Sequence, residues 1–353
     1  MKAAVWHGRQ DVRIQEVADP PPPPPGQVQV EVAWCGICGT DLHEYLSGPI
    51  YIPVDAPHPL TGVRAPVVCG HEMSGRIVAL GEGVTGFAVG DRVAGCPIVG
   101  CLECRWCKSN SMAQCDKVAF MGTSWTGGAL AERLNLNAYQ CYHLPEALSD
   151  EVAAMVEPFS STARPLMLAN IGPADNVGIV GPGPIGLMLM KAAVIRGAKQ
   201  VVVVGRPGRR LELARRGGAT EVIDISAQDP LKRARQLTNG DGFDVVVEAA
   251  GTPDGAHLAA QLTRTRGRLV LMGVFAKPAP LDLFDIVFRE KTVTGSMSGY
   301  GYYDESIRIM TDPRFKGESF ITAQIRLDEL VEKGLRALLN EKGKHVKILV
   351  SPR

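Results

Sequence analysis

The sequence predicts an α/β chain of two parts, a β-rich N-terminal domain followed by a doubly wound parallel sheet. Three observations predict it. Short alternating runs separated by Gly/Pro turns fill the first 150 residues, fully apolar runs alternate with helical stretches from about residue 155, and a glycine fingerprint opens that second region. The length of 353 residues agrees, since domains average roughly 150 residues.

In the first part, Val28–Val32 and Gly75–Ala79 read as strands. The six prolines Pro20–Pro25 exclude both helix and central strand and form a stiff surface connection. In the second part the strand-like runs are Val177–Val180, Val201–Val204, Glu221–Ile225, Asp244–Glu248, Arg268–Met272 and Thr292–Gly295. Between them lie helical stretches at Ile185–Arg196, Arg209–Arg216, Leu231–Leu237 and Ala256–Thr263. Short, wholly apolar strands that alternate with helices belong to a parallel sheet covered on both faces, and six of them make a doubly wound dinucleotide fold. After residue 296 a helix, Leu327–Leu339, and a strand, Val346–Val350, are expected to return to the N-terminal domain. The expected boundaries are 1–154, 155–295 and 296–353.

Composition excludes several classes. Lys plus Arg is 38 and Asp plus Glu is 37, a formal charge of +1, so there is no basic footprint for nucleic acid or an anionic membrane. With 45% hydrophobic and 21% charged residues, the chain is globular. The longest apolar run, Val177–Met190, has 14 residues and is broken by glycines and prolines; a membrane span needs about 20. The N-terminus meets charge too early for a signal peptide. That points to a reducing, cytoplasmic setting, where clustered cysteines mean metal or catalysis more often than disulfides.

The first motif is Cys101, Cys104, Cys107 and Cys115, spaced C-x2-C-x2-C-x7-C. Four thiolates on one loop can close a tetrahedron around zinc and leave no open position, which makes a structural site. An iron–sulfur cluster and a redox dithiol are the rivals. A second set is dispersed: Cys38 in C-G-I-C-G-T-D-L-H, His71 in G-H-E and Glu157 in V-E-P. One thiolate, one imidazole and one carboxylate leave a fourth zinc position open, as catalytic zinc requires. Cys35 could instead pair with Cys38 as a redox C-x-x-C.

The third motif is Gly181-Pro-Gly183-Pro184-Ile185-Gly186, directly after a strand and opening an apolar helix. The first glycine makes the tight turn, the second admits a pyrophosphate and the third packs helix on strand. Nineteen residues beyond Gly186, where an NAD site has an acid for the ribose 2′-hydroxyl, stand Gly205 and Arg206, with Arg209 and Arg210 close behind. Without the carboxylate a 2′-phosphate is not repelled, and arginine can grip it. The expected cofactor is NADP, with NAD as the alternative.

Together these motifs resemble the zinc-dependent medium-chain alcohol dehydrogenases, over essentially the whole chain and in the family's order. C-G-T-D-L-H-E-Y-L-S-G-P, H-P-L-T-G, G-H-E and V-E-P are most similar to the (R,R)-2,3-butanediol and sorbitol (polyol) dehydrogenase branch. The resemblance implies a GroES-like catalytic domain joined to a Rossmann domain. It implies hydride exchange between a secondary alcohol, a vicinal diol or polyol, and NAD(P)+, with a ketone as product. Cys38 and His71 would bind catalytic zinc, Glu157 would be the third ligand or act through a water, and Glu72 would be an alternate ligand. Thr40 would hydrogen-bond the substrate oxygen, and His43 would end a proton relay to solvent. E-P-F-S-S-T-A-R stands where a butanediol enzyme has E-P-L-A-V-A-W-H. Tyr45, Tyr51 and Trp125 could line the pocket.

A homodimer or homotetramer is also implied, the sixth strand being a free sheet edge. The alternatives are an NADPH-dependent reductase of other ketones or enones on the same scaffold, and a zinc-stabilised binding protein. The register of Cys38, His71 and Glu157 argues against both.

Overall fold

The structure, a computed structural model, describes residues 1–341 and 343–353. It forms two compact units. The first comprises Met1–Pro158, Tyr303–Thr311 and Lys316–Arg353, the second Phe159–Tyr302 and Asp312–Phe315.

The first unit is built on a seven-stranded sheet. Its order is Cys141–His143, Arg92–Gly95, Glu72–Leu80, Gln27–Gly36, Lys347–Ser351 and Ile321–Arg326, with Arg133–Asn137 also on the Gln27–Gly36 strand. Along Gln27–Gly36 burial alternates, and Val28, Val30 and Val32 point into the core with Met73, Ile77, Val93, Leu134 and Ile348. That period of two is what a half-covered strand demands. The C-terminal strand pairs Leu349 with Gly36 and Val350 with Cys35. The tail thus returns to the N-terminal sheet, as its apolar pattern suggests.

The tail helix differs from expectation. In place of one α-helix over Leu327–Leu339 there is a 3-10 turn, Leu327–Glu329, a π-helical stretch, Leu330–Arg336, and an α-turn, Ala337–Asn340. At Gly334 this stretch lies so close to the core that an added Cβ would sit 2.7 Å from Cδ1 of Ile37. Packing has set the coil there, and periodicity does not encode it.

The second unit holds a six-stranded, wholly parallel sheet. Its order is Glu221–Asp224, Gln200–Gly205, Asn176–Val180, Phe243–Glu248, Thr263–Leu271 and Thr292–Gly295. In chain order this is 3-2-1-4-5-6, whose switch point lies between the first and fourth strands. Val177, Ile179, Val201–Val204 and Val245–Val247 are buried, because helices Pro184–Ile195, Arg209–Arg216, Pro230–Leu237 and Pro253–Leu262 cover the sheet. The fifth strand begins five residues earlier than expected, at Thr263. The preceding helix ends at Leu262, where the Thr263 hydroxyl donates back to the Ala259 carbonyl (2.8 Å) and its backbone turns extended. No helix among the described residues is long and apolar enough to cross a membrane.

Candidate functional site

The four cysteines of the C-x2-C-x2-C-x7-C loop converge. Their sulfurs all lie within 4.8 Å of one another, with Cys104–Cys107 at 3.6 Å and Cys101–Cys107 at 4.0 Å. A zinc ion bonded to four sulfurs at about 2.3 Å sets them about 3.8 Å apart, so the loop has the size of a zinc site. Amides aim at the sulfurs as well. Cys104 N–H donates to Cys101 Sγ (3.3 Å), and the N–H groups of Cys101 and Lys117 donate to Cys115 Sγ, each at 3.4 Å. Amides of Glu103 and Cys104 pull the Cys101 thiol down to about 6, which favours the thiolate a metal needs.

Cys38, His71 and Glu157 are electrostatic neighbours in the first unit, but unlike the four cysteines their ligand atoms do not all lie within 4.8 Å of one another. Cys38 precedes the Gly39–Ser47 helix, and its N–H donates to the Asp41 carboxylate (2.9 Å). His71 leads into the Glu72–Leu80 strand and is buried. Glu157 sits in the first turn of the Val156–Leu168 helix. Burial opposes charge on His71, but Cys38, Asp41 and Glu157 outweigh it and hold the ring well above 6.5. Burial pushes Glu157 up to about 7, against the pull of His71.

The fit to a metal rests on two observations. His71 Nδ1 is buried with no hydrogen-bond partner among the described residues, and an Asp41 oxygen lies 3.8 Å from it. In this cluster the acidic groups Cys38, Asp41, Glu72 and Glu157 face the single cation Lys347, and that excess of anionic donors suits a divalent cation.

Glu72 lies beside this cluster. Its carboxylate takes two hydrogen bonds from Lys347 Nζ, at 2.6 and 2.8 Å, and the same ammonium donates to the Ile37 carbonyl (3.2 Å). Both side chains are buried, at 1% and 4% exposure. An added Cβ at Gly36 would overlap the Glu72 carboxylate, so the glycine is what admits it. Thr40 and His43 are neighbours three apart on the Gly39–Ser47 helix. The Thr40 hydroxyl lies 3.7 Å from Cys38 Sγ, and His43 is exposed.

Asp41 and Lys347 were missed by the sequence reading. Asp41 had a faint signal, an acid three residues after a helix-starting residue. Lys347 had one too, a lysine inside an apolar strand. Of the expected lining residues, Tyr45 is packed in the core, Tyr51 is exposed with its ring 6.0 Å edge-on from Phe120, and the Trp125 indole donates to Asn135 O (3.5 Å).

In the second unit the glycine fingerprint has the geometry a pyrophosphate needs. Gly181 has φ +107, and an added Cβ would lie 2.7 Å from the Ala250 amide nitrogen. At Gly186 a Cβ would overlap the Gly181 carbonyl, whereas at Gly183 it would enter open space. Gly183 caps the Pro184–Ile195 helix without a side chain, Pro184 is its first residue and Ile185 its second, so the helix's first amides are free to meet an anion. Gly205 ends the second strand, where a Cβ would overlap the Pro182 ring. Arg206 and Arg209 are exposed, and Arg210, in the first turn of Arg209–Arg216, is half-buried, which lowers its pKa.

Comparison with known proteins agrees over the full length. Residues 24–146 match the alcohol dehydrogenase GroES-like domain and residues 184–312 the zinc-binding dehydrogenase family. The chain is 37% identical to (R,R)-butanediol dehydrogenase of Bacillus subtilis, covering 100% of both chains. It is 33% identical to sorbitol dehydrogenase of the same organism, covering 100% of this chain and 97% of that one. The crystal structure of 2R,3R-butanediol dehydrogenase from Bacillus subtilis superposes with a TM-score of 0.94, covering 100% and 99% of the two chains.

Proposed function

We propose, for a chain that belongs to the zinc-binding alcohol dehydrogenase family, reversible hydride transfer between a secondary alcohol and NAD(P)+. The alcohol is a vicinal diol or polyol of the 2,3-butanediol type, and the product is its ketone. Full-length kinship to a butanediol and a sorbitol dehydrogenase supports the substrate class. The observation that carries the chemistry is the meeting of Cys38, His71 and Glu157, with the Thr40 hydroxyl 3.7 Å from the Cys38 sulfur.

In this reading Cys38, His71 and Glu157 hold a catalytic zinc, and Cys101, Cys104, Cys107 and Cys115 a structural one. Bound there, zinc would supply the Lewis acidity that eases loss of an alcohol's proton near neutral pH, and a nicotinamide dinucleotide would supply the hydride acceptor. The chain's own groups handle the proton. Thr40 Oγ1 would accept the substrate hydroxyl's proton as it releases its own toward solvent, and the exposed His43, three residues on, would be the base that takes that proton to bulk water. Asp41, whose carboxylate lies 3.8 Å from His71 Nδ1, adds negative charge beside the ring without a hydrogen bond to it. Lys347 holds Glu72, the residue next to His71, in a buried ion pair outside the ligand set, and exchange of Glu72 onto the metal would require that pair to open. The functional domains are the GroES-like catalytic domain 1–154, the Rossmann domain 155–295 and the C-terminal return 296–353.

NADP+ is the favoured cofactor over NAD+. Gly205 presents no carboxylate to a 2′-phosphate, and Arg206 and Arg210 follow directly on the strand end. The chain self-associates in this reading as a homodimer, or a homotetramer built from it. Phe284, Val287 and Phe288 on the Leu283–Phe288 helix are each more than 70% exposed, near the free edge strand Thr292–Gly295. The cysteine pattern of the sequence supports a cytoplasmic setting.

The test is initial rates with 2,3-butanediol, sorbitol and other secondary alcohols, each with NAD+ and NADP+, before and after chelation of zinc. Chelator-sensitive turnover with a diol or polyol is the expected result, faster with NADP+. Turnover confined to ketone or enone reduction and resistant to chelator would replace this reading with the reductase one.

A further inference from the structure

At the C-terminal end of the fourth parallel strand, Glu248 is completely buried. It stands level with Val180 of the first strand, beside the switch point. Ligands of open α/β sheets bind in the crevice at such a point, yet no solvent reaches this carboxylate. Oε1 accepts two hydrogen bonds of 2.8 Å from the N–H groups of Ala250 and Gly251. Oε2 has no partner among the described residues. Burial pushes the carboxyl above its ordinary range, against the pull of the backbone amides of Ala250 and Gly251 and, more weakly, of Gly273 and Thr252.

The turn it grips is the one that meets the glycine fingerprint. Ala249 N–H donates to the Val180 carbonyl (2.8 Å), and the space where Gly181 would carry a Cβ is filled by Ala249 and Ala250 backbone. The carboxylate itself is walled in. A Cβ at Gly255 would lie 2.9 Å from Oε1, and one at Gly273 would lie 2.5 Å from Oε2. An apolar side chain could fill this space without a stranded oxygen, but it would leave the Ala250 and Gly251 amides unpaired in a buried turn. A direct hydrogen bond from a ligand to Glu248 is blocked by the same walls.

We infer that Glu248 is a positioning residue for the dinucleotide: by accepting the Ala250 and Gly251 amides it fixes the Ala249–Gly251 turn against Gly181 and so gives the phosphate-binding turn its shape. This rests on the dinucleotide reading of Gly181–Gly186. What matters in Glu248 is then the reach of one acceptor oxygen rather than its charge. Two conservative variants separate those properties. Glu248→Gln keeps the reach and loses the charge, whereas Glu248→Asp keeps the charge and falls short of the amides.

The experiment is titration of the zinc-loaded full chain with NADH and NADPH, followed by nucleotide fluorescence, alongside steady-state kinetics. The Gln variant is expected to bind within about 3-fold of the parent and the Asp variant about 10-fold or more weakly, the cost of losing buried acceptor bonds. In the Asp variant KM for the nucleotide rises while KM for the alcohol holds and kcat does not fall, a split that general loosening of the fold would not give. An Asp variant that binds like the parent, or a Gln variant as weak as Asp, overturns the inference and leaves the dinucleotide site standing. A parent that binds neither nucleotide overturns both.

Discussion

Lys347→Met tests whether the buried pair beside the metal cluster is held together as the structure shows. All three ammonium protons are engaged, two by the Glu72 oxygens at 2.6 and 2.8 Å and one by the Ile37 carbonyl at 3.2 Å. Methionine fills nearly the same volume and removes the charge. It leaves both Glu72 oxygens in a site only 1% exposed. Two charge-assisted hydrogen bonds are worth about 1.5–3 kcal/mol each, and breaking one side of a buried pair costs about 3–5 kcal/mol because the partner charge is stranded. The expected loss is therefore about 3–5 kcal/mol, a third or more of the stability of many domains. Equilibrium urea unfolding of the zinc-loaded chain measures it. Adding Glu72→Gln to Lys347→Met removes the stranded charge, and at least about 2 kcal/mol should return, the coupling typical of contacting charges. If Lys347→Met costs under about 1 kcal/mol, the pair behaves as a solvated surface bridge and the reasoning fails. It fails equally if the double variant is no more stable than the single one.

Three further outcomes are expected. Cys107→Ser should lower bound zinc from two ions to one per chain by elemental analysis and lower the unfolding midpoint, since a three-sulfur lobe loses most of its folding energy; two ions retained would contradict it. Replacing Arg206 and Arg210 together by Ala should raise KM for NADP+ at least about 10-fold, the scale of a lost charged hydrogen bond, and leave KM for NAD+ within about 3-fold; equal losses for both cofactors would reject the 2′-phosphate role. Phe288→Asp should shift the chain toward monomer in light scattering, because it places a charge in an exposed apolar helix face; an unchanged mass would move the association surface elsewhere.

What was legible in the sequence was what local chemistry determines. Val201–Val204 reads as a buried strand because no polar residue interrupts it and Gly205 stops it. Arg209–Arg216 forms a helix over the same residues in pattern and structure, with Leu211 and Ala214 facing inward. The four-cysteine loop carries its spacing within fifteen residues, so its closure needs no distant partner. The rest depends on distance along the chain. Glu72 and Lys347 are 275 residues apart, and no periodicity links them. Thr263 reads as the end of a helix, and Arg264–Arg266 has neither a strand's nor a helix's apolar pattern. It is drawn into the sheet by Thr263 standing opposite Phe243 and by the Arg264–Asp244 bridge at 2.7 Å. Glu248 reads as an ordinary strand end, because a string of letters does not show that two amides fold back onto its oxygen.

Gly205 joins the two kinds of information. As a residue in a row it is an absence, the missing acid of an NAD site. In the fold it is a contact, since its Cβ would overlap the Pro182 ring inside the glycine fingerprint. Pro182 in turn sits between Gly181, which needs φ +107, and Gly183, where an added Cβ would enter open space. The end of the second strand and the glycine turn are therefore packed against each other, and neither can be altered alone. An acid introduced at 205 would have to displace Pro182 before it could reach a hydroxyl, and that movement would deform the turn itself. On the proposed reading, a change of cofactor preference at position 205 would have to pass through Pro182 as well as through the arginines that follow the strand.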